Sequence, residues 1–451
     1  MARIEFPPAF RWGASTASYQ IEGGWREDEK GESIWDRFSH TPGRIKNGDT
    51  GDIACDSYHR FEDDIALLQE MNLSSYRFSI AWPRIQPSGR GKANSKGLDY
   101  YGRLTDALLG AGIRPFPTLY HWDLPQALED AGGWPHRDTA GRFTDYAEIM
   151  ISALGDRISD WIIFNEPAVF TALGYYLGTH APGRSSLEDL LRASHTVNLA
   201  QGQAFAAMKA TRSDSFIGTA HSMSSCEPAG DKEADLQAAE RWHGLSNLLF
   251  LEPALNGKYP DIFPDGPPLD EMGFQDGDME QIRAPMDFVG INLYSRTRVT
   301  AQSGGPLNIG AVPVPVENDD SSSITDIGWE VWPDALYDML MRITNDYDTP
   351  IIEVTENGCA YNDPPDHQGV IQDSRRTRFF QGYLEAVARA ISDGADVRGY
   401  HAWSLLDNFE WAEGYGQRFG LSWVDFKTGQ RTLKESGRWY GALAAENGFS
   451  T

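Results

Sequence analysis

The sequence predicts an α/β protein built as a single (β/α)8 TIM barrel over residues 1–451, and three observations carry that expectation. Eight β-branched or aromatic runs recur along the chain, at residues 10–15, 75–80, 114–122, 160–166, 216–222, 287–294, 350–356 and 397–405. Helical patterns fall between them, at 58–71, 98–111, 140–154, 187–210, 234–250, 333–346 and 375–392, so strand and helix alternate throughout. Such alternation implies parallel strands with crossover helices, and eight units are the number that closes a barrel. The ends of these runs are polar or aromatic, which suits a fold whose site lies at the C-terminal mouth of its strands.

Taken in order, the first run follows Pro7-Pro8 and the second reads Tyr76-Arg77-Phe78-Ser79, ending in polar groups. The third ends in His121-Trp122. The fourth, Trp161-Ile162-Ile163-Phe164-Asn165-Glu166, must stop at Pro167, which has no N–H for a sheet ladder. The fifth carries His221 near its end, the sixth Asn292 and Tyr294. The seventh ends in Glu356, followed by Asn357-Gly358, a turn signal. The eighth carries Trp403. Loops are longest after the first, fifth and sixth runs, and residues 303–323, rich in Gly, Pro, Asn and Asp, read as a surface excursion.

Composition narrows the function. Hydrophobic residues make up 41% and aromatics 12%, with 14 Trp, which supplies ample core and leaves an aromatic excess that needs a use. A net charge of -26 disfavours nucleic acid and anionic membrane surfaces as partners. No stretch approaches the ~18 to 20 apolar residues that span a bilayer, and the N-terminus lacks a charged-then-apolar leader pattern, so the expected compartment is the cytoplasm. Cys55, Cys226 and Cys359 form neither a disulfide framework nor a C-x-x-C site, which fits a reducing compartment. The ten His are scattered without H-E-x-x-H, and no nucleotide loop is present, so neither metal nor cofactor is implied.

Glu166 and Glu356 form a candidate acid/base pair. Either alone could simply cap the next helix, but both end apolar strands beside Asn, and Glu caps poorly compared with Ser, Thr, Asp or Asn. Carboxylates, amides and indoles converging on one mouth suit a polyhydroxylated ligand. A sugar offers hydroxyls at its rim for hydrogen bonds and C–H faces for stacking.

From Phe10-Arg11-Trp12-Gly13 to Leu433-Lys434-Glu435-Ser436 the sequence resembles glycoside hydrolase family 1, the β-glucosidase and β-galactosidase group. The motifs are Tyr19-Gln20-Ile21-Glu22-Gly23, Tyr76-Arg77-Phe78-Ser79, Leu119-Tyr120-His121-Trp122, Phe164-Asn165-Glu166-Pro167, Thr355-Glu356-Asn357-Gly358 and Leu406-Asp407-Asn408-Phe409-Glu410-Trp411. Two positions depart from the pattern, Ile163 in place of Thr and Leu293 where an aromatic is common. The resemblance implies a retaining β-glycosidase that hydrolyses small β-glycosides such as cellobiose, with terminal glucosyl and also galactosyl or fucosyl groups accepted. It implies Glu356 as nucleophile and Glu166 as acid/base. It further implies that Gln20, His121, Trp122, Asn165, Glu410 and Trp411 contact the sugar, with Trp403 stacked beneath it. Arg77, Asn292 and Tyr294 would orient and tune the carboxylates, Trp329 would form the leaving-group platform, and Phe419 would close the wall.

In a retaining enzyme the carboxyls lie roughly 5 Å apart. At an effective dielectric of about 20, their repulsion amounts to roughly 3 kcal/mol, enough to keep one protonated near neutrality. That repulsion is the expected cause of a raised Glu166. A 6-phospho-β-glycosidase is disfavoured because Glu410 would repel phosphate, and a thioglucosidase because Glu166 is intact. A non-catalytic sugar-binding barrel would have lost a carboxylate. Cys359 follows the Glu356 motif and is expected either as a buried thiol under the pocket or, if accessible from the mouth, as a site of inhibition.

Overall fold

The computed structural model describes residues 3–263, 265–315, 323–348 and 350–450. Eight parallel strands close into a barrel: β1 (Arg11–Ser15), β2 (Ser75–Ser79), β3 (Arg114–Tyr120), β4 (Asp160–Asn165), β5 (Phe216–Ser222), β6 (Phe288–Asn292), β7 (Ile352–Asn357) and β8 (Val397–Trp403). Closure comes from β8 pairing with β1, where Trp403 lies opposite Ser15. Several strands end one or two residues before the sequence pattern does. β3 stops at Tyr120, two residues ahead of Trp122 at φ 79°, and β4 at Asn165, where Glu166 takes φ 49°. These left-handed turns lift the two side chains off the ladder and into the mouth.

Outside the barrel lie α1 (Ser57–Glu70), α2 (Ser95–Gly110), α3 (Asp138–Leu154), α4 (Leu187–Thr211), α5 (Glu233–His243), α6 (Asp334–Asp346), α7 (Ser374–Ser392) and α8 (Glu435–Glu446). In α3 the buried Phe143, Ala147, Met150, Ile151 and Leu154 follow a helical stripe that faces the strands. The helix predicted over 234–250 divides instead. α5 ends at His243 and a wide turn, Gly244–Leu248, follows, in which the Asn247 amide donates to the Ser224 carbonyl (2.9 Å) and accepts from its N–H (3.1 Å).

Two features went unread in the sequence. Arg3–Glu5 pairs antiparallel with Gly448–Ser450, bringing the chain ends together. Within the excursion, Ala311–Pro313 pairs with Arg296–Ala301, which also pairs with Ser225–Pro228, making a small sheet beside the rim. Residues 316–322 of the predicted excursion lie outside the described residues.

The barrel interior is layered. At its N-terminal end Arg11 pairs with Glu353 (2.7 Å) and Arg114 with Asp160 (2.8 Å). Above them Phe116, Ile162, Ala220 and Phe288 form an apolar plug. Ser75 and His401 follow, 2.9 Å apart, and then the buried Arg77. The barrel is thus filled up to the level of the two glutamates. Among the described residues no helix is long and apolar enough to cross a membrane.

Candidate active site

Glu356 and Glu166 meet at the mouth across the side chain of Asn292. Glu356 sits one residue before the end of β7, where Arg77 of β2 forms an ion pair with it and the Tyr294 hydroxyl donates to its Oε2 at 2.5 Å. Glu166 follows β4 and accepts from Asn292 Nδ2 at 2.9 Å. The same Asn292 nitrogen donates to Asn165 Oδ1 (2.9 Å), which also accepts from Arg77 (2.6 Å), and Thr355 Oγ1 fixes the Asn292 carbonyl (2.6 Å). Four strands, β2, β4, β6 and β7, therefore fix the two carboxylates through one hydrogen-bonded lattice.

Their surroundings differ, and the difference divides their chemistry. Burial pushes Glu166 up to about 8, with the Glu356 charge as the second cause. The sequence argument had assigned this shift to repulsion alone, but desolvation is larger because Glu166 has one amide donor and no cation of its own. Glu356 is also pushed upward by burial, but Arg77, the Tyr294 hydroxyl and Asn292 all act to keep it ionised. The arrangement thus favours the negative charge on Glu356 and the proton on Glu166.

Beside them lies a wall of polar and aromatic groups. Gln20 donates to the Phe409 carbonyl (2.8 Å) and reaches Glu410 at 3.4 Å, while its Oε1 is buried with no partner. His121 Nε2 lies 2.9 Å from the Asn165 amide, its Nδ1 is buried without a partner, and burial holds the ring neutral. Trp122 Nε1 donates to the Asn165 carbonyl at 3.0 Å. Glu410 is raised to about 8 by burial, then by the charges of Glu356 and Glu413. Trp411 is wedged by Trp122 (4.4 Å) and Trp35 (4.5 Å), and His121 lies nearly parallel to both Trp403 and Trp411. Trp329 packs against Tyr294 (5.1 Å) and Phe419 (5.7 Å).

A cavity of about 890 Å³ opens from the carboxylates to the surface, lined by His121, Trp122, Asn165, Glu166, Tyr294, Trp329, Glu356, Trp403, Glu410, Trp411 and Phe419. Gln20, Arg77 and Asn292 stand behind this wall and reach it through the hydrogen bonds above. His221 does not join them. It is buried in the β5 wall, pushed down to about 3 by desolvation, and lines no part of the cavity. The strand alternation that turns one residue to the mouth turns its neighbour away. Residues the sequence gave no reason to choose line the outer cavity, among them Leu173, Tyr176, Trp242, Leu245, Leu307 and Ile327. Leu173 and Tyr176 come from a wide helical turn, Trp242 and Leu245 from the end of α5 and the turn after it, and Leu307 and Ile327 from the loop after β6, where no strand pattern points to the mouth. Cys359 is fully buried, its thiol pushed up to about 12 by desolvation, so the accessible-thiol expectation fails. Among the described residues no group of three or more His, Cys, Asp or Glu is placed to hold a metal ion.

Comparison with known proteins agrees with this fold. The sequence profile described as Glycosyl hydrolase family 1 matches residues 2–449. β-Glucosidase A of Acetivibrio thermocellus is 46% identical over 453 residues, covering 100% of both chains. A bifunctional β-D-glucosidase/β-D-fucosidase of Bifidobacterium breve is 41% identical over 98% of each chain. Among solved structures, the family 1 β-glucosidase from Thermotoga maritima superposes with a TM-score of 0.95 at 40% identity, covering 100% of both chains.

Proposed function

The chain belongs to glycosyl hydrolase family 1 and is a β-glucosidase that works with retention, and from that premise we propose that Glu356 is its nucleophile and Glu166 its acid and base. In the first step a Glu356 oxygen bonds the anomeric carbon as the bond to the leaving oxygen breaks, and the Glu166 proton passes to that oxygen. In the second, a water oxygen attacks the same carbon. Its proton goes to the Glu166 carboxylate, the ester bond breaks, and Glu356 returns as a carboxylate to Arg77 and Tyr294. Esterification removes the Glu356 charge, so Glu166 becomes more acidic between the steps. Because burial is the larger cause of its raised value, the fall is partial, which leaves it basic enough to take a proton from water.

The observation that carries this reading is the asymmetry of two buried carboxylates joined through Asn292, one ion-paired and one not. The orphaned Gln20 Oε1 and His121 Nδ1 support a sugar bound by Gln20, His121, Trp122, Asn165, Glu410 and Trp411, whose hydroxyls would complete them. Trp403 stacks on its face, Trp329 and Phe419 bound the leaving group, and Arg77, Asn292 and Tyr294 tune the carboxylates. The whole chain, 1–451, acts as one catalytic domain. The natural substrate is a small β-glycoside such as cellobiose, within cellulose degradation. A cytoplasmic setting is supported by three free cysteines.

The test is azide rescue. Glu356→Ala should abolish hydrolysis of aryl β-glucosides, and azide should restore turnover with an α-configured product, since the anion takes the vacated nucleophile position. Glu166→Ala should still form the glycosyl-enzyme from activated substrates and give the β product. A β product from the Glu356 variant would move the nucleophile elsewhere.

A further inference from the structure

We propose that Arg376 is a positioning residue, which fixes the loop leaving Glu356 against the loop that carries Glu410, Trp411 and Phe419. The inference rests on the reading of Glu356 as nucleophile. Arg376, in the first turn of α7, is a fully buried cation, and each of its five N–H donors meets an oxygen. Nε donates to Asp373 at 2.8 Å. One terminal nitrogen donates to the carbonyls of Cys359 and Phe419, the latter at 3.2 Å. The other donates to the carbonyls of Tyr361 (2.9 Å) and Arg418 (3.1 Å).

Four backbone carbonyls from two loops thus converge on one guanidinium. Cys359 and Tyr361 follow closely on Glu356, whereas Arg418 and Phe419 end the segment after β8 that presents the sugar-wall residues. The loops touch elsewhere, Tyr361 N–H donating to the Arg418 carbonyl at 3.1 Å, and the clamp itself is anchored. Asp373 accepts from the Ser436 N–H (2.9 Å) and hydroxyl (2.6 Å) at the start of α8. The planar fork is what serves carbonyls on two sides at once. A lysine ammonium has three donors on a single centre and would leave carbonyls from one loop unmatched. The nucleophile would then lose its fixed distance from the sugar wall, and small misplacements of reacting groups are costly.

Arg376→Lys, Arg376→Met and Asp373→Asn, in the full-length enzyme and well below their melting temperatures, separate positioning from support. The readout is the maximal rate of glycosyl-enzyme trapping by 2-deoxy-2-fluoro-β-glucosyl fluoride, with the labelled residue mapped. Trapping in Arg376→Lys should slow by about tenfold or more, and in Arg376→Met by more still. If neither Arg376 variant folds, Asp373→Asn, which frees the guanidinium without removing it, is read in the same way. Folded variants that trap within threefold of wild type would overturn the proposal, even with lowered melting temperatures, because the clamp would then be structural only. A wild-type label on a carboxylate other than Glu356 would instead sink the nucleophile assignment, independently of what the variants do.

Discussion

Replacing Glu166 by Gln should cost activity and add stability, and the stability gain should grow with pH. The side chain keeps its volume, and its Oε1 can still accept from Asn292, so the main change is loss of a titrating group. Burial and then the Glu356 charge lift Glu166 from an ordinary 4.5 to about 8. The folded value lies above the unfolded one, so the stabilising effect of holding the proton is complete below about 4.5 and is lost as pH rises through about 8. Above that, the wild-type fold carries a buried charge at a cost on the order of 5 kcal/mol, at ~1.36 kcal/mol per pH unit. An unfolding entropy of ~2.1 cal/mol/K per residue makes 1 kcal/mol worth about 1 °C in a chain of this length. Scanning calorimetry should therefore find the Gln variant melting about 5 °C above wild type at pH 8.5 and within about 1 °C of it at pH 5. In parallel, wild-type kcat/KM should fall as pH rises through about 8, where the acid loses its proton, and the variant should lack this limb. A melting gap that does not widen with pH, or a Gln variant that melts lower at pH 8.5, would refute the reasoning.

Glu410→Ser should weaken catalysis on β-glucosides and β-galactosides together, since Glu410 lines the cavity and is proposed to accept from the hydroxyls of the bound sugar. With Glu410 raised to about 8, the expected loss spans the neutral and charged hydrogen-bond range, roughly 0.5 to 3 kcal/mol in kcat/KM, and a change under about twofold would remove Glu410 from the sugar. Maleimide at neutral pH should leave the enzyme active and Cys359 unlabelled, because that thiol is buried and pushed up to about 12. Rapid labelling of Cys359 in the folded protein, read by mass spectrometry, would contradict its placement.

The barrel was legible because its strands are almost wholly buried and its helices amphipathic, so that apolar runs alternate with a helical period in the sequence. The glutamates were legible because each ends such a strand. What escaped depends on contacts between distant segments. Asn357-Gly358 looked like a turn, yet Asn357 stays in β7 and Gly358 is needed for another reason: a Cβ there would overlap the Trp403 carbonyl oxygen. His221 was placed at the mouth by its position in the strand, but strand alternation buries it. The cause of the Glu166 shift was misjudged because repulsion can be worked from a family spacing, while desolvation depends on a wall assembled from many loops. Arg376 carried no signal, being one more arginine in a helix until its five acceptors are seen together.

The filled barrel has a consequence for traffic. Among the described residues Phe116, Ile162, Ala220 and Phe288 close the barrel below the carboxylates, so the departing alcohol and the incoming water would both pass on the mouth side. A glycosyl-enzyme would there meet whatever hydroxyl compounds the medium holds. Leu173, Trp242, Leu245 and Leu307 line the same cavity as Glu166 and offer an apolar surface to such a compound. An alcohol at that surface would compete with water for the glycosyl carbon, and the ratio of new glycoside to free sugar released measures the competition.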